Sequence, residues 1–372
     1  MRKDWEYKKL GEVAFYPNDK ISVDKIGANH YVGVENLLKD KAGILFSDQL
    51  PNAATATCFK YNDILLGNIR PYLKKIWLSN TEGGASGDVI VIRTSSDNIL
   101  PNYLFKLLSS DKFFDYFNLY TKGAKMPRGD KNAIAKFIVP TPPKPTQLAI
   151  VAELDKINEL IQLKKQQLKD YDQLAQSIFY EMFGDPVENE KGWEVKKLGE
   201  VTIYPNERIS IEDIQSNQYI GVENLLKNKA GVSFSNQLPN ATSAIYFSFN
   251  DILLGNIRPY LKKIWLSDTI GGASGDVIVI RISSNKVLPM YLFKLLSTDT
   301  FFDYDNLNTK GAKMPRGDKK VIAKFPVPLP PLPLQQQFAA RIEAIERQKQ
   351  QVSETIKDLE TLLASRMQYW FD

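Results

Sequence analysis

Apolar positions fall into recognisable patterns along this chain, and each pattern predicts an element. Short apolar runs bounded by turn formers predict strands: Asp63-Ile64-Leu65-Leu66-Gly67 and Ile76-Trp77-Leu78 around a polar turn holding Arg70-Pro71-Tyr72, then Val89 to Arg93 after the loop Gly83-Gly84-Ala85-Ser86-Gly87, then Phe137-Ile138-Val139. Pro101 to Leu108 reads as a helix, since proline is tolerated in a first helical turn. Phe113, Phe114 and Tyr116 continue it or form a second helix. Strands and helices mix without strict alternation, which predicts an α+β (mixed α/β) fold.

A second pattern is longer. After the proline run Val139-Pro140-Thr141-Pro142-Pro143-Lys144-Pro145, apolar residues recur at alternating steps of four and three: Ile150, Leu154, Ile157, Ile161, Leu168, Tyr171, Ile178 and Met182. Lys164 and Ala175 fill the remaining slots. After a second run, Val327-Pro328-Leu329-Pro330-Pro331-Leu332-Pro333, come Phe338, Ile342, Ile345, Val352, Ile356, Leu359, Leu363 and Trp370, with Lys349 and Arg366 in the intervening slots. Heptad spacing held for about five heptads argues for coiled coil. A helix of ~36 residues would reach ~54 Å. The alternative is two independent amphipathic helices, each lying on its own domain; the length, the twin placement and the lysine interrupting each seam favour pairing.

These patterns occur twice. Trp5-Glu6 returns as Trp193-Glu194 at an offset of 188, which also carries Tyr16-Pro17-Asn18 onto Tyr204-Pro205-Asn206. Asn62 to Ser79 matches Asn250 to Ser267 without a change, as do Gly83 to Arg93 with Gly271 to Arg281 and Thr121 to Lys131 with Thr309 to Lys319. The period far exceeds the ~20–50 residues of a solenoid unit, so each copy is a domain-sized module. Boundaries follow: a module over 1–145, a long helix over 146–183, an exposed linker over 184–192, a second module over 193–333 and a second helix over 334–372. The helices match poorly between copies although the modules match closely. Either each helix packs against the other, or one module was copied over the other while the helices stayed put.

The duplication discounts singular residues. Cys58 becomes Tyr246 and His30, the one histidine, becomes Gln218, so neither carries chemistry that both copies share. A single cysteine excludes an internal disulfide framework and fits a reducing cytoplasm. The N-terminus has no signal-peptide pattern, and no apolar run approaches a membrane span. Net charge is +5, compatible with nucleic acid without requiring it.

Candidate binding chemistry sits in the unchanged stretches. Asn68, Arg70, Tyr72, Lys74 and Lys75 return as Asn256, Arg258, Tyr260, Lys262 and Lys263. Arginine pairs bidentately with guanine, asparagine with adenine, and lysine neutralises phosphate. Ser86, repeated as Ser274, follows glycines that would let a nucleic-acid backbone approach. Lys122, Lys125, Arg128 and Lys131 surround Asp130, and return as Lys310, Lys313, Arg316 and Lys319 around Asp318. Read singly, each is a solvated basic residue; three such loops in duplicate point to DNA. No Walker loop, zinc-ligand spacing or Ser-His pairing shared by the copies is present. The Pro-Pro pairs do not form the Asp/Asn-Pro-Pro-aromatic motif of adenine methylases. Glu35, Asp63 and Asp88 occur in both modules, so a carboxylate-metal nuclease stays open on counting alone.

Trp-Glu-x-Lys-Lys-Leu-Gly-Glu-Val at Trp5 and Trp193, Gly-Asn-Ile-Arg-Pro-Tyr-Leu-Lys-Lys in each module, the proline run before Gln335, and Phe183-Gly184-Asp185-Pro186 resemble the specificity subunits of type I restriction-modification systems over almost the whole chain. The resemblance implies two target recognition domains, each reading half of a split double-stranded DNA site, and two long helices forming an antiparallel coiled coil that sets the spacing, with a core including Ile150, Leu154, Ile157, Ile161, Leu168, Ile342, Ile345, Val352, Ile356 and Leu359. It implies two methyltransferase subunits and restriction (motor-nuclease) subunits as partners, which carry S-adenosylmethionine, ATP and Mg, and a chain that binds no cofactor itself. The family commonly carries two different recognition domains; here they are near-copies. Rival readings are a stand-alone two-headed DNA-binding protein and a protein-binding scaffold without DNA affinity.

Overall fold

The computed structural model describes residues 4–95, 97–309, 311 and 314–371. It divides into two compact units: Met1–Lys165 with Glu354–Asp372, and Gln166–Ser353. Each unit holds one module and part of each long helix.

In the first unit, the apolar runs become the middle of a four-stranded antiparallel sheet, in the order Ala14–Phe15, Val89–Thr94, Ile64–Gly67, Ile76–Leu78. Side chains alternate across a strand, so a continuous apolar run fits only a sheet covered on both faces. Ile64, Leu66, Ile76, Ile90 and Ile92 point into a core shared with helices Pro101–Leu108 and Asp111–Leu119. Leu65, Trp77, Val89 and Val91 point the other way, against Val32, Phe59 and Ala85 of a second sheet. That sheet runs Lys20–Ser22, Thr55–Phe59, Gly83–Ala85, Tyr31–Val32, with the last pair parallel. Glu6–Lys9 pairs antiparallel with Ile138–Thr141 to close the module. Phe113 and its neighbours form the separate helix Asp111–Leu119, N-capped by Ser110, whose side chain accepts from Phe113 N. The second unit repeats this order, with sheets Thr202–Ile203, Val277–Ile282, Ile252–Gly255, Ile264–Leu266 and Arg208–Ser210, Ser243–Phe247, Gly271–Ala273, Tyr219–Ile220.

Gly83-Gly84 is not the open loop expected from its composition. It is a buried strand, and a Cβ on Gly83 would lie 1.9 Å from His30 O, while one on Gly84 would lie 2.7 Å from Ala56 Cβ. These glycines serve close strand packing inside the protein, not the approach of a ligand backbone.

The long helices run Lys144–Phe183 and Leu332–Phe371, 40 residues each. They start earlier than expected, because Pro145 and Pro333 occupy first-turn positions where no intrahelical N–H is needed. Within each unit the helical segments pair antiparallel. In the first, Lys165 meets Glu360 at 2.8 Å, and Glu153 accepts from Arg366 and from Trp370 Nε1 (3.0 Å). In the second, Lys349 bonds Asp172 at 2.7 Å. Ile150, Leu154, Ile157, Ile161, Ile342, Ile345, Val352 and Ile356 are buried; Leu168 and Leu359 are half-buried. The cations interrupting the second seam, Lys349 and Arg366, are thus neutralised by acids of the first helix.

Gln147 and Gln335, 0% exposed, latch each helix to its module. Gln147 Oε1 accepts from Leu100 N at 2.9 Å, and its Nε2 donates to Asn98 O and Pro142 O, both at 2.8 Å. Gln335 makes the same three bonds to Leu288 N, Lys286 O and Pro330 O. The helix ends are exchanged: Phe371 packs on Tyr103 in the first unit (5.7 Å between ring centres), and Phe183 on Tyr291 in the second (4.8 Å).

Candidate nucleic-acid interface

The strands Ile64–Gly67 and Ile76–Leu78 are joined by Asn68 to Lys75, which folds around a 3-10 turn at Pro71–Leu73. Arg70 and Lys74 flank that turn in the left-handed region, at φ 52° and 49°; Arg258 and Lys262 do the same at 53° and 50°. Such a backbone costs a non-glycine residue about 1 kcal/mol or more, and side chains held there are often functional. Pro71 is buried, whereas Arg70 is exposed and Tyr72 is 56% exposed. Among the described residues, no acid pairs with the Arg70 guanidinium.

Backbone bonds bring the three candidate loops together. Arg70 N donates to Pro127 O at 2.9 Å, and Ile69 bridges Arg128, tying the turn to the basic loop. Asn68 N donates to Asp88 O at 2.9 Å, tying it to the segment with Ser86. Arg258 N to Pro315 O (2.8 Å) and Asn256 N to Asp276 O (2.9 Å) repeat this in the second unit.

The side chains divide into outward and inward sets. Arg70, Tyr72, Lys122, Lys125 and Arg128 are exposed, as are Arg258, Tyr260 and Arg316. Some carry replaceable partners: Lys122 pairs with Asp130 and Arg128 with Asp88, both at 2.8 Å, and Arg316 with Asp276 at 2.9 Å. Exposed pairs of this kind are weak in water and screened by salt, so a phosphate can displace the acid. Lys74 and Lys41 both reach Asp111 (2.7 and 3.3 Å), as Lys262 and Lys229 reach Asp299 (2.8 and 3.2 Å). The hydrogen bond from Lys74 leads in holding the Asp111 carboxyl below its ordinary range, and Lys262 does the same for Asp299.

The inward set is engaged inside the module. Lys75 donates to Val34 O at 2.6 Å and Lys263 to Val222 O at 2.5 Å, and burial lowers both ammonium pKa values. Asn68, 8% exposed, accepts from Gly129 N at 3.1 Å, so its carboxamide braces the basic loop. Ser86 Oγ accepts from Asp88 N (3.3 Å), and Ser274 Oγ from Asp276 N at the same distance. Lys310 and Lys313 lie outside the described residues. Lys41, Lys229 and the exposed Met126 also belong to this surface. The repeat was the signal for the lysines, since Lys41 and Asp111 recur as Lys229 and Asp299 at the common offset.

Two of the three acids counted as possible metal ligands, Asp63 and Asp88, have other partners. Asp63, 2% exposed, accepts from Arg93 through both oxygens at 2.8 and 2.6 Å. Asp88 pairs with Arg128. Among the described residues no three His, Cys, Asp or Glu side chains converge.

The chain thus holds two near-identical α+β modules, each presenting exposed cations on braced loops and latched to a long helix. The signature of the type I restriction modification DNA specificity domain matches residues 2–170 and 190–361, and the chain belongs to the family of type I restriction-modification specificity subunits. It is similar to the EcoDI specificity subunit of Escherichia coli, 31% identical over 99 residues, which is 27% of this chain and 22% of that protein. It is also similar to the MjaVIII specificity subunit of Methanocaldococcus jannaschii, 23% identical over 419 aligned positions covering 97% of this chain and 92% of that one. The fold is shared with a chain solved in work on complex assembly and conformational transition of the type I R-M system (TM-score 0.63, 20% identity, covering 100% of this chain and 98% of the other). It is shared also with the S subunit from M. genitalium (TM-score 0.54, 12% identity, 98% and 95% covered). Among the described residues no helix is long and apolar enough to cross a membrane.

Proposed function

We propose that the chain reads a bipartite DNA site, one half per module, and scaffolds two methyltransferase subunits and the restriction subunits without catalytic chemistry of its own. The modules that precede the two long helices are the target recognition domains, the helices Lys144–Phe183 and Leu332–Phe371 set the spacing, and 184–192 is the linker. S-adenosylmethionine, ATP and Mg belong to the partner subunits, and the complex works in the cytoplasm on the nucleoid. The observation that carries this reading is the convergence, in both copies, of the basic loop on the strained turn that projects Arg70 and Arg258. In this reading those arginines contribute to base recognition, and Lys125 and Lys313 contact phosphate.

Antiparallel helices relate their attached modules by an approximate two-fold axis, and DNA has such axes between its strands. Identical readers facing opposite ways recognise one short word on opposite strands, so the target is an interrupted palindrome methylated in both halves. Methylome sequencing with and without the gene tests this. Loss of one interrupted palindromic methylation motif is expected; two unrelated half-site words would refute the symmetry, and an unchanged methylome would refute the function. Co-purification of a methylase with the chain is the companion test.

A further inference from the structure

The two recognition turns are identical in sequence but rest on different supports. In the first module Phe117 is fully buried, stacked on Phe113 at 5.8 Å, and closes against the basic loop: a Cβ on Gly129 would lie 1.8 Å from its ring. In the second module the matching residue is Asp305, 2% exposed. Its Oδ1 has no hydrogen-bond partner, and neither has Oδ1 of Asn256, the counterpart of Asn68. Both oxygens face Gly317: a Cβ there would lie 2.7 Å from Asp305 Oδ1 and 3.1 Å from Asn256 Oδ1. Asn68 Oδ1 accepts from Gly129 N at 3.1 Å, a bond for which Asn256 Oδ1 has no equivalent.

Two buried acceptors that face one glycine without partners are unfavourable unless a proton lies between them or one group turns to offer a donor. We propose that Asp305 is a positioning residue for the second recognition turn: its neutral carboxyl donates to Asn256 Oδ1, and its ionisation, with the proton released to solvent, turns the Asn256 amide so that Nδ2 faces the carboxylate. DNA reading through the second module then depends on pH, whereas the first module, built on Phe117, has no such group. This rests on the DNA-reading function proposed above.

The surroundings favour a proton on this carboxyl. Burial raises its pKa from 3.8 to about 6. The nearby cations have other partners: Arg316 pairs with Asp276, Lys262 and Lys229 with Asp299, and Lys319 lies 5.8 Å over the Tyr204 ring. The Tyr204 hydroxyl donates to Lys319 O, and its pKa rises to about 12 through burial and then the Asp305 charge. Asp318 sits at the N-terminus of Lys319–Ile322, accepting from Lys320 N, and Asp303 is exposed on the Asp305 helix itself.

Full-length wild type, Asp305→Asn and Asp305→Phe are compared in two assays. The first is stability against pH without DNA. A raised folded-state pKa gives stability that is present in full below the unfolded value and lost as pH rises through about 6, so the wild-type folding constant relative to Asp305→Asn should fall up to about 100-fold between about pH 4 and pH 7. The second is selection from a random duplex library, sequenced after binding at about pH 5 and about pH 7.5. The wild type should retain two equal half-site words at the lower pH and a degraded second word at the higher, and Asp305→Phe equal words at both. Parallel pH profiles for wild type and Asp305→Asn in the first assay would overturn the proton sharing. Half-site words that do not change with pH would overturn the positioning role. A library that yields no enriched sequence at either pH would count against DNA reading, while the stability profile still decides whether Asp305 carries the proton.

Discussion

Removing the Gln147 latch should loosen one module from its helix by a calculable amount. The side chain is fully buried and makes three bonds to backbone groups of two separate segments. Leaving a buried polar group unpaired costs about 1–3 kcal/mol. Of its three partners, Asn98 is exposed and its carbonyl can be rehydrated, Leu100 is half-buried, and Pro142 is buried. Gln147→Met, which keeps the volume and deletes the bonds, should therefore cost about 2–5 kcal/mol, while Gln147→Ala adds a cavity term. Urea denaturation gives the total, and hydrogen exchange at Leu100 N localises it. Gln335→Met should match it in the second unit, where the bonds have the same lengths to within 0.1 Å, and the double variant should be additive because the sites share no partner. A loss below about 1 kcal/mol with unchanged exchange at Leu100 would refute the reasoning.

Other outcomes follow from the loops. Arg70→Ala should cost about 1–3 kcal/mol at one base position, whereas Lys125→Ala should weaken all sequences alike and flatten the salt dependence; duplex panels at two salt concentrations separate these. Arg70→Gly should raise thermal stability by relieving about 1 kcal/mol of left-handed strain while lowering DNA affinity, read by calorimetry and gel shift. Lengthening both long helices by one heptad at matched positions should change the unread spacer and leave the half-site words intact, as read from the methylome.

Much of the architecture was legible along the chain because it rests on local periodicity. The run Ile64 to Gly67 predicted a strand, Pro101 a helix start, and the heptads of Ile150 to Met182 a long helix, because each signal depends on residues a few positions apart. The offset of 188 exposed the duplication and marked the cationic loops. Gly83-Gly84 carried no apolar alternation, so its strand was invisible until His30 and Ala56 were placed against it.

The division of labour among the polar residues was decided only by the tertiary structure. By type, Asn68 and Lys75 suited base and phosphate contact as well as Arg70 did, yet they are bound to Gly129 and Val34 while Arg70 stands free of the sheet. The glutamine latches, the exchange of Phe183 and Phe371 between modules, and the placing of Asp305 and Asn256 against Gly317 likewise join distant segments; Lys112 Nζ reaches Phe371 O across 259 residues. Period and composition describe which face of an element is apolar. They hold no record of which polar group lies opposite another once those faces are packed, and in a buried site that neighbour determines whether a side chain braces the fold or is left for a ligand.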